Sequence, residues 1–302
     1  MWTQIQYALI YGWIKLHALL PMSVLYVLSD FLYFIVYRVI RYRVSVVRRN
    51  LKAAFPGKST KELLLLEKKF YHHFADYVVE TLKLAHISLE ELQKRAYIQN
   101  PELIDQLMDK GNPCCLLLMG HFGNWEWYSG STSRFKDACL YQIYRPLNNK
   151  AVDKLFIHLR TKFGSFGIPK NDTGREVVRL VRNKVRSAVI FLADQTPSPS
   201  NLHYWTNFLN QDTAILTGAE RLARKLNTPV VFLDVQMLER GYYTLEMQLI
   251  TDNPKETPEN WITEEYARRM GKSILRKPEG WLWTHKRWKY KRSDAVTHHG
   301  NN

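Results

Sequence analysis

The spacing of hydrophobic and polar positions divides the chain into two parts. Residues 5–20 and 22–37 are almost continuously apolar, whereas later residues alternate short apolar runs with segments of helical periodicity. Short continuous apolar runs are typical of strands buried on both faces of a parallel sheet. We predict such strands at residues 114–119, 140–144, 187–193 and 230–235, and a half-exposed edge strand at residues 242–250.

The segments between these runs carry apolar residues at helical spacing. They predict helices over residues 60–84, 150–163, 173–183, 213–226 and 258–277. Two of them begin with a capping-box pattern, Ser59 with Glu62 and Thr173 with Glu176. Strands that alternate with helices predict an α/β fold, with a mixed, mainly parallel sheet flanked by helices.

The apolar N-terminus predicts a hydrophobic membrane-anchor helix. Residues 22–37 contain Asp30 as their only formal charge, and five arginines follow between residues 38 and 49. A signal peptide has its positive charges first, so cleavage is not expected. The segments are compatible with one tilted span, an interfacial hairpin, or a buried helix pair of a soluble protein. We divide the chain into an anchor (1–45), an α/β domain (46–292) and a polar tail (293–302).

The net charge adds a preference for acidic partners. The 302 residues include 43 Lys and Arg against 28 Asp and Glu, a formal charge of +15. Nucleic acid, an anionic membrane, phosphorylated lipids and an acidic protein all suit such a chain. Trp281, Trp283 and Trp288 interleave with basic residues, as in a strip that stacks on bases or an interfacial belt. A non-enzymatic, basic membrane- or nucleic-acid-binding protein is therefore one hypothesis, with membrane contact favoured.

The chemistry-bearing motif is the turn after the first strong strand, Gly120-His121-Phe122-Gly123-Asn124-Trp125-Glu126. Ligands of open α/β sheets bind outside the carboxyl ends of the strands. His121 and Glu126 can meet only if His121 lies in the loop and Glu126 in the first helical turn. The carboxylate would then orient the imidazole as a base for a substrate hydroxyl or amine. The alternative is a capped helix start with a hydrogen-bonded histidine.

Other polar residues follow predicted strands at the same edge. Arg145 could hold a phosphate, and Arg160 in the next helix is a second candidate. Asp194 and Gln195 could support the reaction centre or the arginines, and Asn124 joins this group of substrate-binding or supporting candidates. No Cys/His array has zinc spacing, so we assign no metal ligands.

Several blocks together resemble a known family. The His121-x4-Glu126 pattern is similar to the H-x4-D/E motif of the glycerolipid and lysophospholipid acyltransferase superfamily. Residues 120–126, 144–148, 193–195 and 283–288 resemble, in the same order, the lipid A late acyltransferases, the lauroyl/myristoyl branch. The block at 193–195 continues as Thr-Pro-Ser-Pro, where many relatives have an aspartate- or glycine-containing turn.

The resemblance implies a membrane-associated O-acyltransferase with a glycerolipid-acyltransferase-like fold. It would move a fatty acyl chain from an acyl carrier protein or CoA thioester to a hydroxyl of a lipid A precursor. His121 would be the general base and Glu126 its partner, without metal, cofactor or nucleic acid. The enzyme would lie in the bacterial inner membrane, facing the cytoplasm. Alternative acceptors are a lysophospholipid or an amino-acid lipid.

Overall fold

Ten α-helices surround the strands in the computed structural model, which describes residues 2–294. The helices are α1 Trp2–Ala18, α2 Met22–Tyr33, α3 Val44–Ala54, α4 Thr60–Lys83, α5 Leu89–Arg95, α6 Glu102–Asp109, α7 Lys150–Thr161, α8 Thr173–Arg182, α9 Gly218–Leu226 and α10 Trp261–Arg276. A π-helical segment, Phe34–Val39, continues α2. Residues 295–302, most of the predicted polar tail, lie outside the described residues.

The centre of the domain is a seven-stranded sheet, and five of its strands lie where the sequence predicts them. Its strands are β1 Ala96–Ile98, β2 Cys114–Met119, β3 Cys139–Tyr144, β4 Phe166–Pro169, β5 Ser187–Leu192, β8 Val230–Glu239 and β9 Tyr242–Thr251. The order is β1-β9-β8-β2-β5-β3-β4, and only the β8–β9 pair is antiparallel. Every residue of β2 is buried, because helices cover both faces of this central strand. The prediction of a mixed, mainly parallel sheet flanked by helices is confirmed.

Three local predictions are wrong. The strand β9 is not at the edge, because the three-residue β1 pairs with it, too short a strand to predict from its pattern. Residues 213–214 belong to a separate hairpin of β6 Trp205–Phe208 and β7 Gln211–Ala214, so the predicted helix begins only at Gly218. Ser59 forms its capping box, whereas the hydroxyl of Thr173 donates to the carbonyl of Lys170 and does not cap α8.

The tryptophans near the C-terminus are core residues, which corrects the interpretation as a surface strip. Trp281 is 2% exposed and Trp283 is fully buried. Trp281 packs edge-on against both Trp283 and Trp288. Neither buried ring can stack on a base or reach a membrane, and Trp281 pairs with Phe122 in the turn that follows β2.

The two N-terminal helices pack along the domain and leave one side apolar and exposed. The side chain of Ser29 donates to Asp76 of α4, and the hydroxyl of Tyr37 donates to Glu67. Residues Met22–Val39 form one helix that is long and apolar enough to cross a membrane, judged by length and composition alone.

A buried carboxylate joins α2 to the rest of the domain. Glu80 of α4 is fully buried and accepts hydrogen bonds from three elements. The hydroxyls of Tyr26 and Tyr243 donate to it over 3.0 and 2.8 Å, and the amide of Asn124 donates over 2.8 Å. The side chain thus links the N-terminal segment, β9 and the turn that follows β2.

Burial raises the pKa of Glu80 to about 7, although its hydrogen bonds partly offset this effect. The unfolded chain releases this proton near pH 4.5 and the folded protein near pH 7. The contribution of Glu80 to stability is therefore complete below about pH 4.5 and declines as the pH rises to about 7, by roughly 3 kcal/mol.

We expect Glu80→Gln to remove this pH dependence. The amide oxygen can accept from Asn124 and Tyr243, and its NH₂ group can donate to Tyr26, without a buried charge. Relative to wild type, the variant gains stability between pH 5 and pH 8, by roughly 2–3 kcal/mol. Urea unfolding of the detergent-solubilised chain measures this. The free energy of unfolding of the exposed control Glu102→Gln should follow that of wild type at each pH. A difference in this free energy between Glu80→Gln and wild type that stays constant from pH 5 to pH 8 would contradict the prediction.

Candidate functional site

The register of two parallel strands brings His121 and Asp194 together. Met119, the last residue of β2, pairs with Leu192, the last residue of β5. His121 and Asp194 each lie two residues further on, at the carboxyl end of the sheet. The Nδ1 atom of His121 is 2.7 Å from Oδ1 of Asp194, and its backbone N–H donates to Oδ2 over 2.9 Å.

The Asp194 carboxylate is buried and ionised. Its exposure is 3%, and it also accepts a 2.8 Å hydrogen bond from the indole N–H of Trp281. Burial raises the pKa of Asp194, but the charge interaction and hydrogen bonds with His121 and Trp281 outweigh this effect and hold the pKa below its usual value. The anion accepts the proton on Nδ1, and this leaves Nε2 of His121 as the basic nitrogen.

Residues 280–288, which we call the C-terminal segment, hold the turn around His121 in place. The N–H of Gly123 donates to the carbonyl of Gly280, and the N–H of Leu282 donates to the carbonyl of His121. Gly123 has a φ of +62°, and a Cβ atom there would press on Val235 and Tyr243. The turn therefore requires glycine at this position, and His121 has a fixed backbone.

Glu126 does not contact the imidazole, which corrects the sequence-based hypothesis that it orients His121. It lies in the 3₁₀ helix Trp125–Arg134, where its two oxygens accept N–H groups of Arg160 over 2.8 and 2.6 Å. The partner differs because Asp194 already occupies Nδ1 of His121, and α7 brings the guanidinium of Arg160 to Glu126. The predicted site residues are thus two pairs, His121 with Asp194 and Glu126 with Arg160.

Two cavities meet at His121. The first, of about 420 Å³, is lined by Glu126 and Arg160 together with apolar side chains such as Trp125, Phe156 and Ile190. The second, of about 400 Å³, extends past Lys170, Phe191 and His285. Both are lined by the six residues His121, Ile143, Tyr144, Arg145, Leu192 and Gln195. A reactant in either cavity can approach the same imidazole.

Of the remaining predicted residues, Arg145 and Gln195 line both cavities, whereas Asn124 lines neither. Arg145 is exposed on the rim of both cavities and makes no hydrogen bond or ion pair within residues 2–294. The amide nitrogen of Gln195 is 3.2 Å from Nε2 of His121, where it can donate to that nitrogen. Asn124 is fully buried on Glu80 and lines neither cavity, so its place is structural.

Several residues support the site in ways that the sequence did not predict. Trp281 holds Asp194, and Glu80 holds Asn124, as described above. Burial lowers the pKa of His285 to about 4, so its neutral Nε2 accepts the backbone N–H of Thr196 over 3.0 Å. The similarity of block 283–288 to a family motif was a signal that this segment matters, but its contacts depend on the fold.

Comparison with known proteins identifies the family of this chain. Residues 2–290 match the family described as bacterial lipid A biosynthesis acyltransferase. The lipid A biosynthesis palmitoleoyltransferase of Escherichia coli K12 is 24% identical over 254 residues, which cover 82% of this chain and 79% of that protein. The lipid A biosynthesis acyltransferase of Shigella flexneri shows the same identity and coverage.

The family match spans nearly the whole described chain, including the turn, the strands and the C-terminal segment that form the site. It indicates an enzyme with an acyl donor and a lipid acceptor. The chain belongs to the bacterial lipid A biosynthesis acyltransferase family.

Proposed function

We propose that this enzyme transfers a fatty acyl chain from an acyl thioester to a hydroxyl of a lipid A precursor, with His121 as general base. The observation that carries this proposal is the His121–Asp194 pair at the junction of two cavities. One cavity can hold the acyl chain of the donor while the other holds part of the acceptor. Of the six residues that line both cavities, His121 is the one whose side chain can take a proton from a hydroxyl at neutral pH.

The reaction follows from this arrangement. Nε2 of His121 takes the proton of the acceptor hydroxyl as its oxygen attacks the thioester carbonyl. The buried Asp194 anion stabilises the imidazolium that forms. Collapse of the tetrahedral intermediate forms the ester and breaks the carbon–sulfur bond, and the leaving thiolate takes the proton back from the imidazolium. This sequence balances without a metal or redox cofactor, and we expect the enzyme to require neither.

Glu126 acts through Arg160 in this proposal. The carboxylate is buried, and its two hydrogen bonds fix the guanidinium at the wall of the first cavity. A fixed cation there can bind a phosphate of the acceptor or stabilise the developing oxyanion. Arg145, which is free to turn toward either cavity, is a second phosphate-binding candidate, and Gln195 orients His121.

The acyl donor that best suits the charge is an acyl carrier protein. The chain has a net charge of +15, and the cavity rim carries Arg145 and Lys170. Acidic partners associate faster with such a surface. Acyl-CoA presents the same thioester with fewer contacts and is the alternative donor.

We place the enzyme at the cytoplasmic face of the bacterial inner membrane. The apolar segment Met22–Val39 and the arginines that follow it support this location, because the anionic cytoplasmic leaflet attracts basic residues beside an apolar segment. The family's lipid acceptor is itself a membrane component, so enzyme and acceptor share one surface.

Replacing either member of the His121–Asp194 pair should abolish most activity. We expect His121→Ala to reduce kcat/KM by about 10²–10⁴, the usual contribution of a general base. Asp194→Asn should reduce kcat/KM by about the same factor, because the neutral amide no longer stabilises the imidazolium. The assay is transfer of a labelled acyl chain to a lipid A precursor by the folded variants.

The matched control for this experiment is Asp252→Asn, because Asp252 pairs with Lys110 on the surface. It should retain wild-type activity. A folded His121→Ala protein that keeps near-full activity would refute the mechanism, and a fully active Asp194→Asn would remove Asp194 from it.

Glu126 and Arg160 should behave as one unit. We expect Glu126→Ala and Arg160→Ala each to lower activity about 10- to 100-fold, since each disrupts one charge-assisted pair. Because Glu126 acts through Arg160, the double variant should lose little more than Arg160→Ala alone. Acyl-transfer rates and circular dichroism of all three variants provide the test. Losses that multiply would show that Glu126 has a role of its own.

The preferred donor and acceptor can be measured side by side. We expect acyl carrier protein to give a higher kcat/KM than acyl-CoA, and we expect its advantage to decrease with added salt, which screens the basic rim. The acceptors to compare are a lipid A precursor, a lysophospholipid and an amino-acid lipid. Faster acylation of either of the last two would replace the proposed acceptor and leave the His121 mechanism unchanged.

A further inference from the structure

The exposed apolar residues of α1 form a single stripe. Trp2, Ile5, Leu9, Trp13 and Leu16 follow one another at steps of three or four residues, and each is exposed; Leu9, for example, is 70% exposed. Residues with this spacing lie on one side of a helix. The opposite side, including Ile14 and Ala18, is buried against the domain.

The same pattern continues through α2 and its π-helical extension. Val24, Val27, Phe31, Phe34 and Val39 are exposed on one side, with Phe31 at 64%. The π-helical turn between the last two residues shifts the spacing and keeps Val39 in the series. We call these exposed apolar side chains of α1, α2 and the extension together the N-terminal apolar face.

The other side of these helices is fixed to the domain by polar contacts. The ammonium group of Lys83 donates to the carbonyls of Ala18 and Leu20, each over 2.8 Å, and so binds the α1–α2 junction. Arg240, in the β8–β9 turn, donates to Asp30 of α2 and to Asp76 of α4, each over 2.6 Å.

Further contacts follow along α2. Ser29 donates to Asp76, Tyr26 to Glu80 and Tyr37 to Glu67, as described above. Gly241 in the β8–β9 turn comes so close to α2 that a Cβ atom would collide with the hydroxyl of Tyr26.

A membrane-crossing position of Met22–Val39 is incompatible with these contacts. If α2 crossed the bilayer alone, Asp76, Glu80 and Glu67 would each lose a hydrogen bond that α2 or its extension donates. If it crossed together with α4, the charged side chains of α4 would enter hydrocarbon, where they are costly. A helix that lies in the plane of the membrane avoids both penalties.

We infer that the N-terminal apolar face rests in one leaflet of an anionic bilayer and does not cross it. The occupant is a lipid surface because three exposed cationic residues, Arg38, Arg41 and Arg49, lie within the apolar series or follow it in the chain. Basic residues beside an apolar stripe that inserts into a membrane are attracted to anionic headgroups. This inference rests on the proposed membrane association, but its test requires no catalysis.

The arrangement also places the acceptor near its cavity. Helix α7 contacts α1 on one side, where Lys154 donates to Gln4 over 2.7 Å and His158 packs on the ring of Tyr11. On another side, Phe156 and Arg160 of the same helix line the first cavity. One helix thus separates the leaflet-facing α1 from the cavity that holds His121.

Depth measurements test the inference on the full chain. Three separate variants, Val24→Cys, Phe31→Cys and Val39→Cys, each carry a fluorophore on the new cysteine. All contain Cys139→Ser, which removes the partly accessible native thiol. The protein is bound to vesicles of phosphatidylethanolamine and phosphatidylglycerol in about a 3:1 ratio, with quenchers at shallow or deep positions of the acyl chains. The control, Lys110→Cys, lies before the amino end of β2, at the opposite edge of the sheet.

We expect the three probes to report one shallow depth and the control to report no quenching. A deep probe at Phe31 with shallow probes at Val24 and Val39 would show a membrane-spanning helix and overturn the inference. Absence of quenching at all three positions would overturn it as well, because protein, such as a second copy, would then cover the face. Neither result depends on acyl transfer, so failure of the proposed function is recognised separately.

Charge variants provide a second test of the same surface. Replacing Arg38, Arg41 and Arg49 with Gln should lower partition to the anionic vesicles about a hundredfold and leave partition to neutral phosphatidylcholine unchanged. The matched control removes the same charge from α8 through Arg175→Gln, Arg179→Gln and Arg182→Gln. Equal losses in both triple variants would show that total charge, and not this surface, attracts the membrane.

Discussion

The buried contact between Asp194 and His121 is the interaction on which the site depends. It exists because β2 and β5 are parallel, adjacent and in register, so that two residues beyond Met119 and Leu192 meet at the same edge of the sheet. An ionised carboxylate with little exposure is stable only when its oxygens accept hydrogen bonds. The donors are His121 and Trp281, so strand register, imidazole orientation and the C-terminal segment are coupled.

The polar contacts outside the reaction centre connect it to the N-terminal helices. Glu80 accepts from Tyr26 of α2 and from Asn124 of the turn that carries His121. The same buried group therefore holds both the N-terminal helices and the turn of the candidate site in position. In the proposed mechanism, this connection keeps the base in a fixed position relative to the N-terminal helices.

Local patterns predict most elements but not their neighbours. The bounds of β2 agree with its apolar run, and Ser59 caps α4 as its sequence pattern predicts. The short β1 leaves no detectable pattern, so β9 is incorrectly placed at the edge. The tryptophans at 281 and 283 resemble a surface strip in sequence, because alternation with basic residues does not reveal that the chain turns inward at this point.

The sequence by itself determined the fold class, the position of His121 after a parallel strand and the resemblance to lipid A acyltransferases. These are properties of periodicity and of short motifs, which depend on residues close together in the chain. The tertiary structure alone decided that Asp194, 73 residues away, and not Glu126 holds the imidazole. It also decided that Glu126 pairs with Arg160 and that the N-terminal helices lie along the domain. Such pairings depend on strand register and helix packing, which arise from contacts among distant residues and leave no local signature.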